Sequence, residues 1–274
     1  MKNSFLSLLI FITANIYSQT GFYLQPTIEH KWHINSTTPY DITTQQGYVM
    51  KIEPINFYDF GLSDFNYGLL CGYQTKKLFF ETGWTGDQLG IDFNIIGTAC
   101  SPFDTTYYVY KSEIKSGALF NKYPFRFGLK LLGKDSVPIG KKMRWQCFLY
   151  GGIDYLRVQG TGQFGSSSWG VIINPNHDAI QFEDYESTNF YRGEILKTIG
   201  FIFKSYNKKG KNIINFSIHY SHGNREMYYS IPKFTNYDQV VYMGLPVFSK
   251  GSGLYINVSK DIYPLNIYRK IAHK

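Results

Sequence analysis

The chain is poor in charge and in cysteine. Only 18% of its 274 residues are Asp, Glu, Lys or Arg, and its three cysteines are Cys71, Cys100 and Cys147. An odd number at no metal-ligand spacing argues against both a disulfide framework and a zinc site, and neither metal nor cofactor is expected. Acids are scarcer than bases, 20 against 28, for a formal net charge of +8. No aromatic-plus-basic stacking motif accompanies that excess, so no nucleic-acid partner is expected. After the first twenty residues no run of 18 apolar positions occurs. That removes a membrane-spanning helix but not a membrane barrel, whose strands announce themselves only by alternation. Internal repeats and low-complexity stretches are also missing.

What is abundant points to strands. There are 24 Tyr, 22 Phe and 26 Gly, a mix that suits pleated sheets and tight corners better than long helices. The start is different: Met1-Lys2-Asn3 is positive, residues 5–12 are apolar but too short to span a bilayer, and residues 16–18 form a cleavage end. These features predict an export signal over residues 1–18 and one domain over 19–274.

Eight segments alternate with period two. Phe65, Tyr67, Leu69, Cys71 and Tyr73 oppose Asn66, Gly68, Leu70, Gly72 and Gln74. Leu78, Phe80, Thr82 and Trp84 oppose Phe79, Glu81, Gly83 and Thr85, as a returning hairpin strand should. Further segments run over residues 123–132, 144–155, 192–203, 214–221 and 253–259, and a weaker one, interrupted by Pro26, over 22–31. One face is apolar and aromatic; the other collects small residues and charges. Lys197 is an exception, falling on the apolar face.

The connections follow a rhythm. The links 75–77, 133–142 and 205–211 are short, and those at 33–63, 86–120, 157–190 and 222–250 are long. Strict alternation is expected when one end of an antiparallel barrel carries brief turns and the other extended loops. The short turns are lysine-rich, with Lys76, Lys77, Lys134, Lys141, Lys142, Lys208, Lys209 and Lys211 against Asp135 alone. Residues 91–96 and 105–110 alternate enough to form an extra hairpin. It would either extend the third and fourth strands or raise the strand count to ten.

With its signal, alternation and loop rhythm, the chain resembles the small outer-membrane β-barrels of Gram-negative bacteria, the eight-stranded OmpA/OmpX type. The resemblance covers residues 19–274 and implies an all-β, antiparallel transmembrane barrel with short periplasmic turns and long extracellular loops. It further implies outer-membrane lipid and lipopolysaccharide as surroundings and the barrel-assembly machinery as a partner. The role expected is a non-enzymatic barrel anchoring structural or adhesive surface loops that contact a ligand or protein. A narrow pore or transport barrel is the alternative, and a soluble exported β-sandwich is a further one.

An eight-stranded lumen is just wide enough to be filled by side chains. The inward set predicted from alternation holds Lys31, Arg126, Lys130, Arg144 and Arg192 against Glu29, Glu81, Asp154 and Glu194. Buried charge must be paired, so the near-balance reads first as a salt-bridge network and second as an ion path.

A catalytic alternative rests on His219 and Ser221, which share the inner face of one strand, as a base and nucleophile would need. The spacing resembles the His-x-Ser of outer-membrane lipid A deacylases, with Glu194 or Glu226 as candidate acid. The competing reading is a polar His and Ser filling a wet lumen. His30 and His33 fall on opposite faces and suit no shared metal. Gly160-Thr161-Gly162-Gln163-Phe164-Gly165 matches a dinucleotide-loop spacing, but no helix follows to receive a phosphate, so it reads as a turn.

Overall fold

A computed structural model describes residues 21–35, 37–43, 49–58, 65–100, 107–134, 141–164, 169–172, 179–187, 193–236, 241–243, 245 and 247–263. The expected export signal and Arg192 lie outside these. Among the described residues sixteen strands follow one another: β1 (Gly21–Ile34), β2 (Tyr40–Thr43), β3 (Val49–Pro54), β4 (Phe57–Tyr58), β5 (Phe65–Gln74), β6 (Leu78–Cys100), β7 (Tyr107–Leu132), β8 (Met143–Phe164), β9 (Trp169–Ile172), β10 (Ala179–Ser187), β11 (Gly193–Asn207), β12 (Asn212–His222), β13 (Tyr228–Asn236), β14 (Val241–Met243), β15 (Val247–Ser249) and β16 (Gly253–Ser259). Among the described residues there is no helix.

Eight strands close on themselves. The order is β1, β5, β6, β7, β8, β11, β12, β16 and back to β1, every neighbour antiparallel. The closure is consistent with a barrel and removes the open edges that two stacked sheets would keep. These eight contain the eight alternating segments of the sequence. Residues 91–96 prolong β6 and 107–110 prolong β7, the first of the two outcomes expected for the extra hairpin, so the ring keeps eight strands.

The ring is inside-out relative to a soluble protein. On β1 the odd residues from Tyr23 to His33 are buried, while Phe22, Leu24 and Ile28 are exposed. The same holds round the circle, with Tyr67, Leu69, Phe80, Trp84, Phe125, Phe127, Leu129, Trp145, Ile153, Ile195, Ile199, Phe201 and Phe216 exposed. On β11 this belt runs from Ile195 to Phe203, about 26 Å along the strand at roughly 3.3 Å per residue, or about 20 Å of height at a barrel tilt of roughly 40°. Lys197 is exposed within it.

Turn chemistry sets one end of the ring. Between β11 and β12, Asn207 accepts the backbone N–H groups of Lys209 and Lys211 on its side-chain oxygen, and Gly210 takes φ of 71°, a left-handed conformation that glycine adopts without a Cβ clash. Between β5 and β6, the Thr75 hydroxyl accepts the Leu78 N–H at 2.9 Å. The turn lysines 76, 77, 134, 141, 142, 208, 209 and 211 are all exposed.

The other end is more ordered than long loops would suggest. The upper parts of β6 and β7 pair with each other, and β3 and β2 add to β6. The links after β8 and β12 supply a second sheet of β9, β10, β13, β14 and β15. Gly160 to Phe164, expected as a turn, belongs to β8, because β7 offers it a pairing edge at Gly117 and Ala118. A hydrophobic core lies at this end, with Ile52, Leu89, Ile91, Phe93, Phe120 and Leu156 among its fully buried members.

Candidate functional site

The interior of the ring is built in layers. Nearest the long-link end, inward Leu89, Phe120, Leu156 and Leu196 belong to the hydrophobic core just described. Below them sits an ionic layer. Lys31 donates to Asp87 at 3.0 Å and to the Gln88 carbonyl at 2.8 Å, and Lys122 pairs with Glu29 and lies 3.9 Å from Asp87. Arg126 reaches Asp154 at 3.4 Å and Glu81 at 3.7 Å. Tyr255 donates to Asp87 at 2.9 Å, and the Lys122 ammonium stands 4.0 Å from the Tyr255 ring centre. Next comes an aromatic layer of Phe79, Phe148 and Tyr150 with Ile202. A Cβ added at Gly128 would run into the Phe79 ring, so the glycine on β7 is what lets that ring cross the interior.

A second ionic group lies at the short-turn end. Lys204 donates to Asp261 and to Gln74, both at 2.9 Å, and Asn215 donates to the other Asp261 oxygen at 2.6 Å. The chain reaches this point because pairing with β1 resumes beyond β16: Ile262 and Leu24 exchange backbone hydrogen bonds at 2.7 and 2.8 Å. Together with Arg144, the two groups hold five buried bases (Lys31, Lys122, Arg126, Arg144, Lys204) and five buried acids (Glu29, Glu81, Asp87, Asp154, Asp261); Asp92 and Glu194, also buried, lie outside them. Balance matters because an unpaired charge at such depth costs several kcal/mol.

The inward residues expected from the sequence fall out differently. Glu29, Lys31, Glu81, Arg126 and Asp154 come together in the upper ionic layer. Arg144 is buried at the short-turn end, where it donates to the Lys134 carbonyl and stacks over Tyr206 at 4.9 Å. Glu194 sits at the opposite rim, 4.0 Å from the exposed Arg225. Lys130 is half-buried beside a register shift between Lys130 and Leu132, which turns it away from the regular alternation. Asp87, Lys122, Lys204 and Asp261 were missed. The first three lie on the inward parity of their strands, one or two residues outside the drawn ends, so continued counting finds them.

His219 and Ser221 do share the inner face, but they engage different partners. Ser221 Oγ shares a hydrogen bond with Thr198 at 2.8 Å and donates to Asp154 at 3.3 Å. His219 Nε2 faces Arg126 at 3.4 Å and Glu29 at 3.7 Å, its ring stacks on Tyr255 at 4.6 Å, and Nδ1 has no hydrogen-bond partner among the described residues. A triad needs one ring nitrogen on the nucleophile and the other on an acid. Both residues are almost wholly buried, away from any lipid outside the ring. The arrangement serves packing and hydrogen bonding inside the ring. Of the two histidines named with it, His30 is half-buried against the Phe65 ring and His33 is fully buried, on opposite faces as expected.

No family model, curated protein or solved structure matches this chain.

Proposed function

We propose that the protein is a non-enzymatic outer-membrane β-barrel of the OmpA/OmpX kind, exported by its first eighteen residues, that anchors a β-rich head at the cell surface. The observation that carries this reading is the belt of exposed Phe, Leu, Ile, Tyr and Trp around a closed ring whose interior holds the charges. In water such a belt is a liability far larger than the few hundred Å² of apolar patch a soluble monomer tolerates. In lipid it is the stable arrangement, since ring closure satisfies the backbone groups that hydrocarbon cannot. Lysine-rich turns face the periplasm on this reading, and the head faces outward, towards lipopolysaccharide and a surface ligand or protein. Insertion would need the barrel-assembly machinery.

The layered interior supports an anchor over a pore, because ions would have to cross the apolar layer above the upper ionic layer and the aromatic layer between the two ionic groups. Membrane fractionation with gel migration of boiled and unboiled samples tests the proposal. Recovery with outer membranes and a heat-dependent shift are expected; a soluble periplasmic or secreted protein with no shift would overturn it.

A further inference from the structure

The wall of the ring has a notch at the head end. β16 begins at Gly253, opposite His33 of β1 and Ser221 of β12, while its two neighbours run on to Ile34 and His222. Above Gly253 the chain is held by single bonds: Ile34 N–H to the Ser252 carbonyl at 3.1 Å, and Gly223 N–H to the Ser252 hydroxyl at 3.0 Å. Farther out, the Tyr40 hydroxyl donates to the Leu245 carbonyl at 2.6 Å; burial holds that phenol well above the usual tyrosine range, so it stays a donor.

The notch is a cavity of about 470 Å³, inside the roughly 300–1,000 Å³ range of small-molecule sites. Its apolar wall includes Ile34, Tyr220, Leu245 and Phe248, and its polar lining includes His222, Lys250 and Glu226. It is continuous with the belt, because Tyr220 pairs in register with Leu254 and Ile199 on the outer face. Lys197 is the register partner of His222 on that same face, which puts their side chains about 5 Å apart at the Cβ atoms. Lys197 and Lys250 outnumber Glu226, which is the one acid of the lining among the described residues and is itself exposed.

We propose that this cavity binds a phosphate-bearing lipid of the surrounding membrane, with an acyl chain rising against Tyr220 and Ile34 and the phosphate held by Lys250, His222 and Lys197, capped from the head side by Leu245 and Phe248. The proposal rests on the membrane-barrel reading. That reading puts the notch at the upper edge of the hydrocarbon, where a chain enters from below and a headgroup lies level with the lysines. It also explains a lysine on an otherwise apolar face, since at that height its ammonium reaches the headgroups.

Native mass spectrometry of the full-length protein in detergent, with dimyristoyl phosphatidylglycerol as the probe, tests the site. Retention of one lipid is expected, weakened about tenfold by Lys250→Glu, the loss of one charge-assisted hydrogen bond. Leu245→Asp should weaken it similarly, and Lys209→Glu at the opposite end should leave it unchanged. Retention unaffected by the two cavity variants, equal weakening by Lys209→Glu, or equally tight binding of glycerol 3-phosphate would each overturn the proposal. Each protein is first run boiled and unboiled. A wild type that shifts on heating but fails these criteria sinks the lipid site alone, whereas a wild type with no shift sinks the barrel reading beneath it.

Discussion

At the scale of single residues, the side of the wall decides what a charge costs. Phe127 is exposed on the belt and Arg126, its neighbour, is buried in the ionic layer. Phe127→Arg is expected to cost about 2–4 kcal/mol and to cut assembly, while Phe125→Tyr should be mild; equal heat-shift yields for the two would contradict the register. The interior obeys the opposite rule. Lys122→Met removes a base between Glu29 and Asp87 and should cost about 3–5 kcal/mol, as leaving buried charge uncompensated does. Removing both partners of the Lys204–Asp261 pair, as Lys204→Met with Asp261→Leu, should cost less than Lys204→Met alone, since no ion is stranded. The temperature at which the unboiled band converts to the boiled one measures all of these.

At the scale of elements, β6 records where the surroundings change. Its inward residues run Phe79, Glu81, Gly83, Thr85 and Asp87, then turn apolar at Leu89, Ile91, Phe93 and Ile95. Below the change the inside is charged because the outside is lipid on the proposed reading; above it the strand behaves as in a water-soluble sheet, with its apolar side chains in a core. This switch explains why the alternating segment over residues 78–85 breaks off at 86 and residues 91–96 alternate again only as a separate piece of the link. It also hid Asp87 and Lys122, which sit at the crossover. Because the upper core is separate from the belt, Phe93→Ala should loosen the head by about 3–5 kcal/mol and leave the heat-dependent shift intact. Limited proteolysis of intact membranes checks this: cleavage in the head should rise sharply, and loss of the ring itself would show that the two parts are one cooperative unit. The β9–β10 and β13–β15 strands escaped the sequence reading because they belong to a small sheet that forms only when two links distant in the chain meet.

For the whole molecule, the stacked layers predict an electrically silent barrel. Planar-bilayer recordings of the reconstituted protein should show no steady single-channel steps, and Phe148→Ala should not open any, because Phe79 and Tyr150 still fill that level. Regular steps in the wild type would reassign the ionic layer as a conduction path. The same layers bear on the hydrolase alternative. Ser221 is bonded to Asp154 and Thr198 beneath an apolar lid, so His219→Ala should leave lipid A unchanged by mass spectrometry while lowering the conversion temperature.

The sequence by itself determined the two-faced character of each ring strand, the inward side of Glu29, Lys31, Glu81, Arg126, Arg144 and Asp154, and the rhythm of short and long links. These are local properties: period two and turn residues act within a few positions of one another. Ring closure, the layering of the interior, the second sheet and the pairing of particular charges were decided only by the tertiary structure. Lys122 and Glu29 are 93 positions apart, and Lys204 meets an Asp261 that lies beyond the last alternating segment. Which acid a buried base finds depends on strand order and stagger around the ring. Those follow from closing all eight ladders at once, and no single segment encodes them.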